Sequence, residues 1–158
     1  MSELEVKRIK KLLDSNNKEY KLSEHEPVYT SEQAAKVRGA DLKTGVKALV
    51  LKTQESKFIL ALVAADRRVD FKKLAKHVNT KSLKLAKPDE VLKRTNCEIG
   101  SVHPFGILHN LVTYMDSSVL ENEYVEFNIG IHTKSIRMKS KDLVEVTEPE
   151  IVEISRSD

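Results

Sequence analysis

Apolar positions along the chain change period several times, and each change marks an element. Val6, Ile9 and Leu13 share one helical stripe with lysines around it, which predicts a helix over 4–16. Thr30 and Gln33 have capping-box spacing and Gly39 suits a helix stop, so a short second helix is expected over 31–38. VKALVLK (46–52) and KFILALVA (57–64) are β-rich runs separated by a polar turn, which predicts a hairpin. Both runs are apolar on both faces and are therefore expected to be central strands covered above and below.

Beyond them, Asp70 is placed as an N-cap. Phe71, Leu74, Ala75 and Val78 follow at helical spacing, the cleanest such stripe in the chain. A short strand is expected over 82–86. Pro88 opens another short helix, with Asp89 and Glu90 at the positive end of its dipole. A glycine- and proline-punctuated loop, GSVHPFG (100–106), leads to expected strands at 111–115, 124–128 and 134–139. In the last strand Ile136 and Met138 alternate with Ser135 and Arg137, which predicts one buried and one wet face. Helices among mixed strands, without a regular βαβ rhythm, indicate an α+β domain.

At 158 residues the chain has the length of about one domain. Charged residues make up 32 %, against about 25 % in an average soluble domain. The net charge of only +3 excludes a polybasic binder but permits a local cationic patch. The single cysteine, Cys97, has no internal disulfide partner, as expected of a reducing, cytosolic setting. The longest apolar run, 58–65, is far shorter than the roughly 18–20 residues that cross a bilayer, and the amino terminus lacks the apolar stretch of a secretory signal. No membrane partner is expected.

Two features invite chemistry. Lys47 sits inside an apolar strand, on one pleat face with Leu49 and Leu51. An ammonium there is costly unless it reaches water or meets an anion, so Lys47 is either a strand-end lysine with a wet head or an anion-binding group. The GSVHPFG loop combines two glycines with a proline and can aim several backbone groups at one small ligand, although many such loops are only turns. The histidines have no zinc-type spacing, so no metal is expected. A nucleophilic Cys97–histidine pair stays open as a rival. No nucleophile elbow, Walker loop or dinucleotide fingerprint occurs. Arg67, Arg68, Lys72, Lys73 and Lys76 cluster around one helix, either as a solvated face or as a nucleic-acid contact.

Four segments, in this order, resemble the YbaK/EbsC-type aminoacyl-tRNA deacylases, relatives of the editing domain inserted in bacterial prolyl-tRNA synthetases. They are His25–Thr30 (HEPVYT) with the following Ala34, Gly45–Val50 (GVKALV), Asp66–Leu74 (DRRVDFKKL) and Gly100–Gly106. The resemblance implies a mixed, barrel-like sheet with surrounding helices. It implies one editing domain over 1–158, with a helical segment over 1–20 and a catalytic core over about 21–147. It implies an enzyme that hydrolyses the ester of a mischarged tRNA in trans, on alanyl- or cysteinyl-tRNA(Pro), without metal or cofactor and with the substrate's ribose hydroxyl assisting the attacking water. By this carry-over Lys47, Gly100 and Ser101 are the catalytic positions. His25, Tyr29, Thr30, Val102, His103, Pro104, Phe105, Gly106 and His132 are the substrate-binding ones. His103 stands where the family's loop residue is often small, and it is expected to narrow or polarise the pocket. The implied partners are the aminoacylated tRNA end and, in addition, a synthetase, in the cytoplasm. The rival of a different class is a binding module that holds the tRNA end or an aminoacyl-nucleotide without cleaving it.

Overall fold

In the computed structural model, which describes residues 2–157, the elements run α1 (Ser2–Ser15), β1 (Lys21–Glu24), α2 (Ser31–Arg38), β2 (Val46–Thr53), β3 (Phe58–Ala64), β4 (Arg68–Val69), α3 (Phe71–Val78), β5 (Leu83–Leu85), α4 (Pro88–Thr95), β6 (Val112–Asp116), β7 (Tyr124–Asn128), β8 (Lys134–Lys139), α5 (Ser140–Thr147), β9 (Glu150–Val152) and β10 (Ser155–Arg156). The expected span of 1–158 therefore exceeds the described residues by one at each end.

β2 and β3 form the expected antiparallel hairpin, with Val46 opposite Ala64 and Lys52 opposite Phe58. They lie inside a five-stranded sheet of order β5-β2-β3-β6-β9. Side chains alternate across the pleat, so β3 feeds two cores. Leu60 and Leu62 join Val6, Ile9 and Leu13 of α1 and the inner residues of β7 and β8. Ile59, Ala61 and Val63 pack on the other face against Leu74 and Ala75 of α3. Burial on both sides is what makes this run apolar throughout.

β6 joins β3 in parallel, and β9 joins β6 in parallel. β1, β8 and β7 make a separate antiparallel sheet, and β4 pairs with β10. The domain is α+β as expected. Among the described residues the expected barrel-like sheet is instead three separate sheets, and an isolated bridge between Gly45 and Glu126 joins the five-stranded one to the three-stranded one. Among the described residues no helix is long and apolar enough to cross a membrane.

Local chemistry sets the helix ends that matter for the site. Thr30 Oγ1 accepts from the Gln33 N–H at 3.1 Å, and Gln33 Oε1 accepts from the Tyr29 N–H at 2.9 Å. Gly39 ends α2 at φ 66°. Asp70 caps α3 by accepting from the N–H groups of Lys72 and Lys73. β5 pairs only with Leu51, Lys52 and Thr53, so among the described residues no strand is hydrogen-bonded to the edge of β2 at 46–49. A cleft opens there.

Candidate functional site

The open edge of β2 is one wall of a cleft of about 330 Å³. Lys47 and Leu49 line it from β2, Thr30, Ala34 and Arg38 from the start and end of α2, Ile99, Gly100 and Val102 from the loop, and Asn128 from the end of β7. Tyr29, 64 % exposed, stands at the same opening. The strand lysine and the glycine loop, 53 positions apart in the chain, thus share one ligand-sized space.

Lys47 is half-buried, and no hydrogen bond or ion pair to its ammonium forms among the described residues. Burial lowers its pKa below the usual lysine value, and Arg68 nearby lowers it further against the weaker pull of Glu32 and Asp66. An unpartnered ammonium in a partly desolvated cleft attracts a phosphate or a developing oxyanion more strongly than one in water.

Gly100 holds φ +88°, a conformation that L side chains rarely adopt. Its carbonyl accepts from Asn128 Nδ2 at 2.8 Å, and its N–H makes no hydrogen bond among the described residues. Ser101 behaves differently. It is buried, its N–H and Oγ both donate to the Glu98 carbonyl, and its own carbonyl accepts from the Gly130 N–H. Those groups are engaged inside the loop, so Ser101 presents no free donor.

The other residues carried over by resemblance divide into two groups. Tyr29, Thr30 and Val102 line the cleft. The second half of the loop turns inward instead. Pro104 is buried, Phe105 is fully buried and packs edge-on against Phe127 at 5.5 Å, and a Cβ on Gly106 would collide with Thr113 and the Leu111 carbonyl. His103, 2 % exposed, points to Glu5 of α1 and does not narrow the cleft. His25 Nδ1 bonds the Glu26 carbonyl and Nε2 bonds Ser135 Oγ, behind Arg38. His132 backs the opening: its Nδ1 bonds the Val28 carbonyl, and its ring lies 4.5 Å from that of Tyr29. Arg38 and Asn128 were not legible as site residues, because each reaches the cleft from the end of an element that closes only in three dimensions.

Glu5, Cys97 and His103 place one donor atom each within 4.8 Å of one another, all buried. Their hydrogen bonds do not suit a metal. The Phe105 N–H donates to His103 Nδ1 at 3.1 Å, so the proton of a neutral ring is on Nε2, which donates to Glu5 at 2.9 Å and has no lone pair for a cation. Burial and the neighbouring Glu5 charge push the Cys97 thiol up to about 12, far from the thiolate that metal binding or nucleophilic attack requires.

Fold and cleft together are those of a known class of editing domains. A crystal structure of a proposed trans-editing enzyme for prolyl-tRNA synthetase matches it with TM-score 0.84 at 27 % identity, covering 96 % of this chain and 97 % of that one. The chain is also 32 % identical over 154 residues to the multifunctional Ser/Thr-tRNA deacylase ProXp-y of Escherichia coli, covering 95 % of this chain and 92 % of that protein. It is 34 % identical over 118 residues to a proline–tRNA ligase of Pseudothermotoga lettingae, 67 % of this chain but only 20 % of the ligase. Residues 25–146 match the aminoacyl-tRNA editing domain, and the chain belongs to that family. At this level of description it is an aminoacyl-tRNA hydrolase.

Proposed function

We propose that this chain, acting as one domain in the cytoplasm, is a trans-acting deacylase that removes a small, wrongly attached amino acid from the terminal ribose of a tRNA. The observation that carries this reading is the unpartnered, half-buried Lys47 ammonium, in one cleft with the positive-φ Gly100. Lys47 holds the terminal phosphate and orients the ester. The 99–102 backbone lies against the aminoacyl group. Water, assisted by the neighbouring ribose hydroxyl, attacks the acyl carbon. The bond from that carbon to the ribose oxygen breaks, the oxygen takes a proton, and free amino acid and tRNA leave.

A volume of about 330 Å³ lies at the lower end of the usual range for ligand sites and suits a small acyl group. Such an enzyme is needed because a synthetase pocket separates side chains differing by one methylene by only about 1–3 kcal/mol. The substrates proposed are the alanyl and cysteinyl esters of tRNA(Pro), together with the seryl and threonyl esters suggested by the name of the E. coli relative. The Thr30 hydroxyl, at the cleft wall, is a polar contact that a hydroxyl side chain can use.

The test is a deacylation panel over tRNAs charged with alanine, cysteine, serine and threonine, counting released amino acid against buffer. Release above background from at least one is expected. Binding of the tRNA end without release from any of them would assign a binding module instead, and neither binding nor release would end the reading.

A further inference from the structure

Ser135 lies on the β8 face expected to be wet, yet it is 3 % exposed. Its hydroxyl sits within a directed chain of hydrogen bonds that ends at the cleft. His25 Nδ1 faces the Glu26 carbonyl at 2.8 Å, so the ring proton is on Nδ1 and Nε2 accepts. Ser135 Oγ, 2.7 Å from that Nε2, donates to it and accepts from Arg38 Nε at 3.0 Å. Arg38 Nη2 in turn donates to Asn128 Oδ1 at 3.2 Å. With its oxygen held by the guanidinium, the Asn128 amide turns its Nδ2 to the Gly100 carbonyl at 2.8 Å.

Each link fixes the direction of the next. We propose that Arg38 and Asn128 are positioning residues for the deacylation, anchored through Ser135 by His25, and that they set the Gly100 peptide against the bound ester. The proposal rests on the deacylase reading. It gives the HEPVYT histidine a place behind the cleft wall instead of a contact with substrate. The peptide that joins Gly100 to Ser101 is held on both edges, by Asn128 Nδ2 on its carbonyl and by the Glu98 carbonyl on its N–H, so Asn128 supplies the anchor on the cleft-wall side. A misplacement of about 1 Å at a reacting centre can cost about 100-fold in rate. Burial lowers the Arg38 pKa, opposed by Glu126, yet a guanidinium stays charged and keeps its donors at working pH.

The experiment compares Asn128→Ala, Arg38→Lys, Ser135→Ala and the Asn128→Ala/Arg38→Lys double variant with wild type. Two readouts are used: kcat and KM on whichever ester the panel identifies, and amide hydrogen exchange over residues 98–102. Asn128→Ala and Arg38→Lys are each expected to lower kcat about 10- to 100-fold with KM within about 3-fold, and to speed exchange in that loop. Lysine keeps the charge but cannot bridge Ser135 and Asn128, so it should not rescue. The double variant should lose no more than the worse single one, because both act through one chain. Full kcat in Arg38→Lys, multiplicative losses, or unchanged loop exchange would each overturn the proposal. If wild type cleaves no ester, the deacylase reading fails, and the exchange measurement still decides whether this chain of bonds holds the loop.

Discussion

Glu5 Oε1 accepts a hydrogen bond from His103 Nε2 at 2.9 Å across 98 residues of sequence, and a second from His109 Nε2 at 2.6 Å. Arg8 bonds the other carboxylate oxygen at 3.1 Å. A fully buried carboxylate in α1 therefore clasps the inner half of the loop whose outer half faces the cleft. Removing it leaves two imidazole N–H groups without their acceptor, at about 1–3 kcal/mol each. Glu5→Ala is expected to lower the unfolding free energy by about 2–6 kcal/mol in urea titrations. Glu5→Gln, which keeps an acceptor oxygen, should cost less.

The same clasp predicts acid lability. Burial pushes the Glu5 pKa up, but the His103 and His109 hydrogen bonds and charges outweigh it and hold it at about 2, below the ordinary 4.5. A depressed carboxylate contributes stability that is complete above 4.5 and is lost as pH falls toward 2. His103 is also lowered, chiefly by burial, so the unfolded chain takes up its proton first as pH drops below 6.5. Both shifts act in one direction. Stability measured by urea unfolding should fall from pH 7 to pH 3, and Glu5→Gln should flatten the part below 4.5.

Lys47 should show the signature of a group kept for activity. Lys47→Met is expected to leave the midpoint of thermal unfolding unchanged or raised, since the ammonium it removes is desolvated and unpaired. Deacylation should fall about 100- to 1000-fold, the loss typical of one preorganised electrostatic group. Because its pKa lies below 10.5, enzymatic rate over spontaneous hydrolysis should decline on the alkaline side before that value. Lys47→Arg should remove this decline.

Cys97 should be chemically silent. It is 1 % exposed with its thiol pushed up to about 12, so a maleimide at pH 8 is expected to leave the native protein unlabelled and fully active. Loss of activity on labelling would revive a cysteine mechanism. The His103 tautomer makes a further prediction: EDTA should leave both the deacylation rate and the unfolding midpoint unchanged.

The two loop glycines should fail in different ways. Gly100→Ala forces a side chain into φ +88° but meets only ordinary contacts, the nearest 3.5 Å away. It should cost about 1–2 kcal/mol of stability and a larger share of activity. Gly106→Ala drives a methyl group into Thr113 and Leu111, which should cost about 1–3 kcal/mol or more while barely changing kcat in the folded fraction. Unfolding curves and single-turnover rates on the same samples separate the two.

Most elements that bury a stripe or a whole run were legible in the sequence, although α5, which buries Leu143 and Val146, was not expected. The α3 stripe, the two-sided β2–β3 runs and the Thr30 and Gly39 caps appear where their chemistry places them, because 3.6- and 2-residue periods are imposed locally. β1, β4, β9 and β10 were not legible. They are two to four residues long, too short to show a period, and they form because a distant strand offers a partner. Ser135 misleads for a related reason. Alternation assigns its face correctly, and Arg137 on that face is exposed, but the Arg38 and His25 side chains close over Ser135 itself, and whether a position is wet depends on what packs over it.

The chain's own residue pattern determined the α+β class, the central hairpin, the suspicion attached to Lys47 and the special backbone of Gly100, since each follows from what one residue or one short run can tolerate. Tertiary structure alone decided that these two meet, that His103 turns inward to Glu5, and that Arg38 and Asn128 join the cleft. Those outcomes depend on strand partners and crossings far apart in sequence, and no local period encodes a contact across 98 residues.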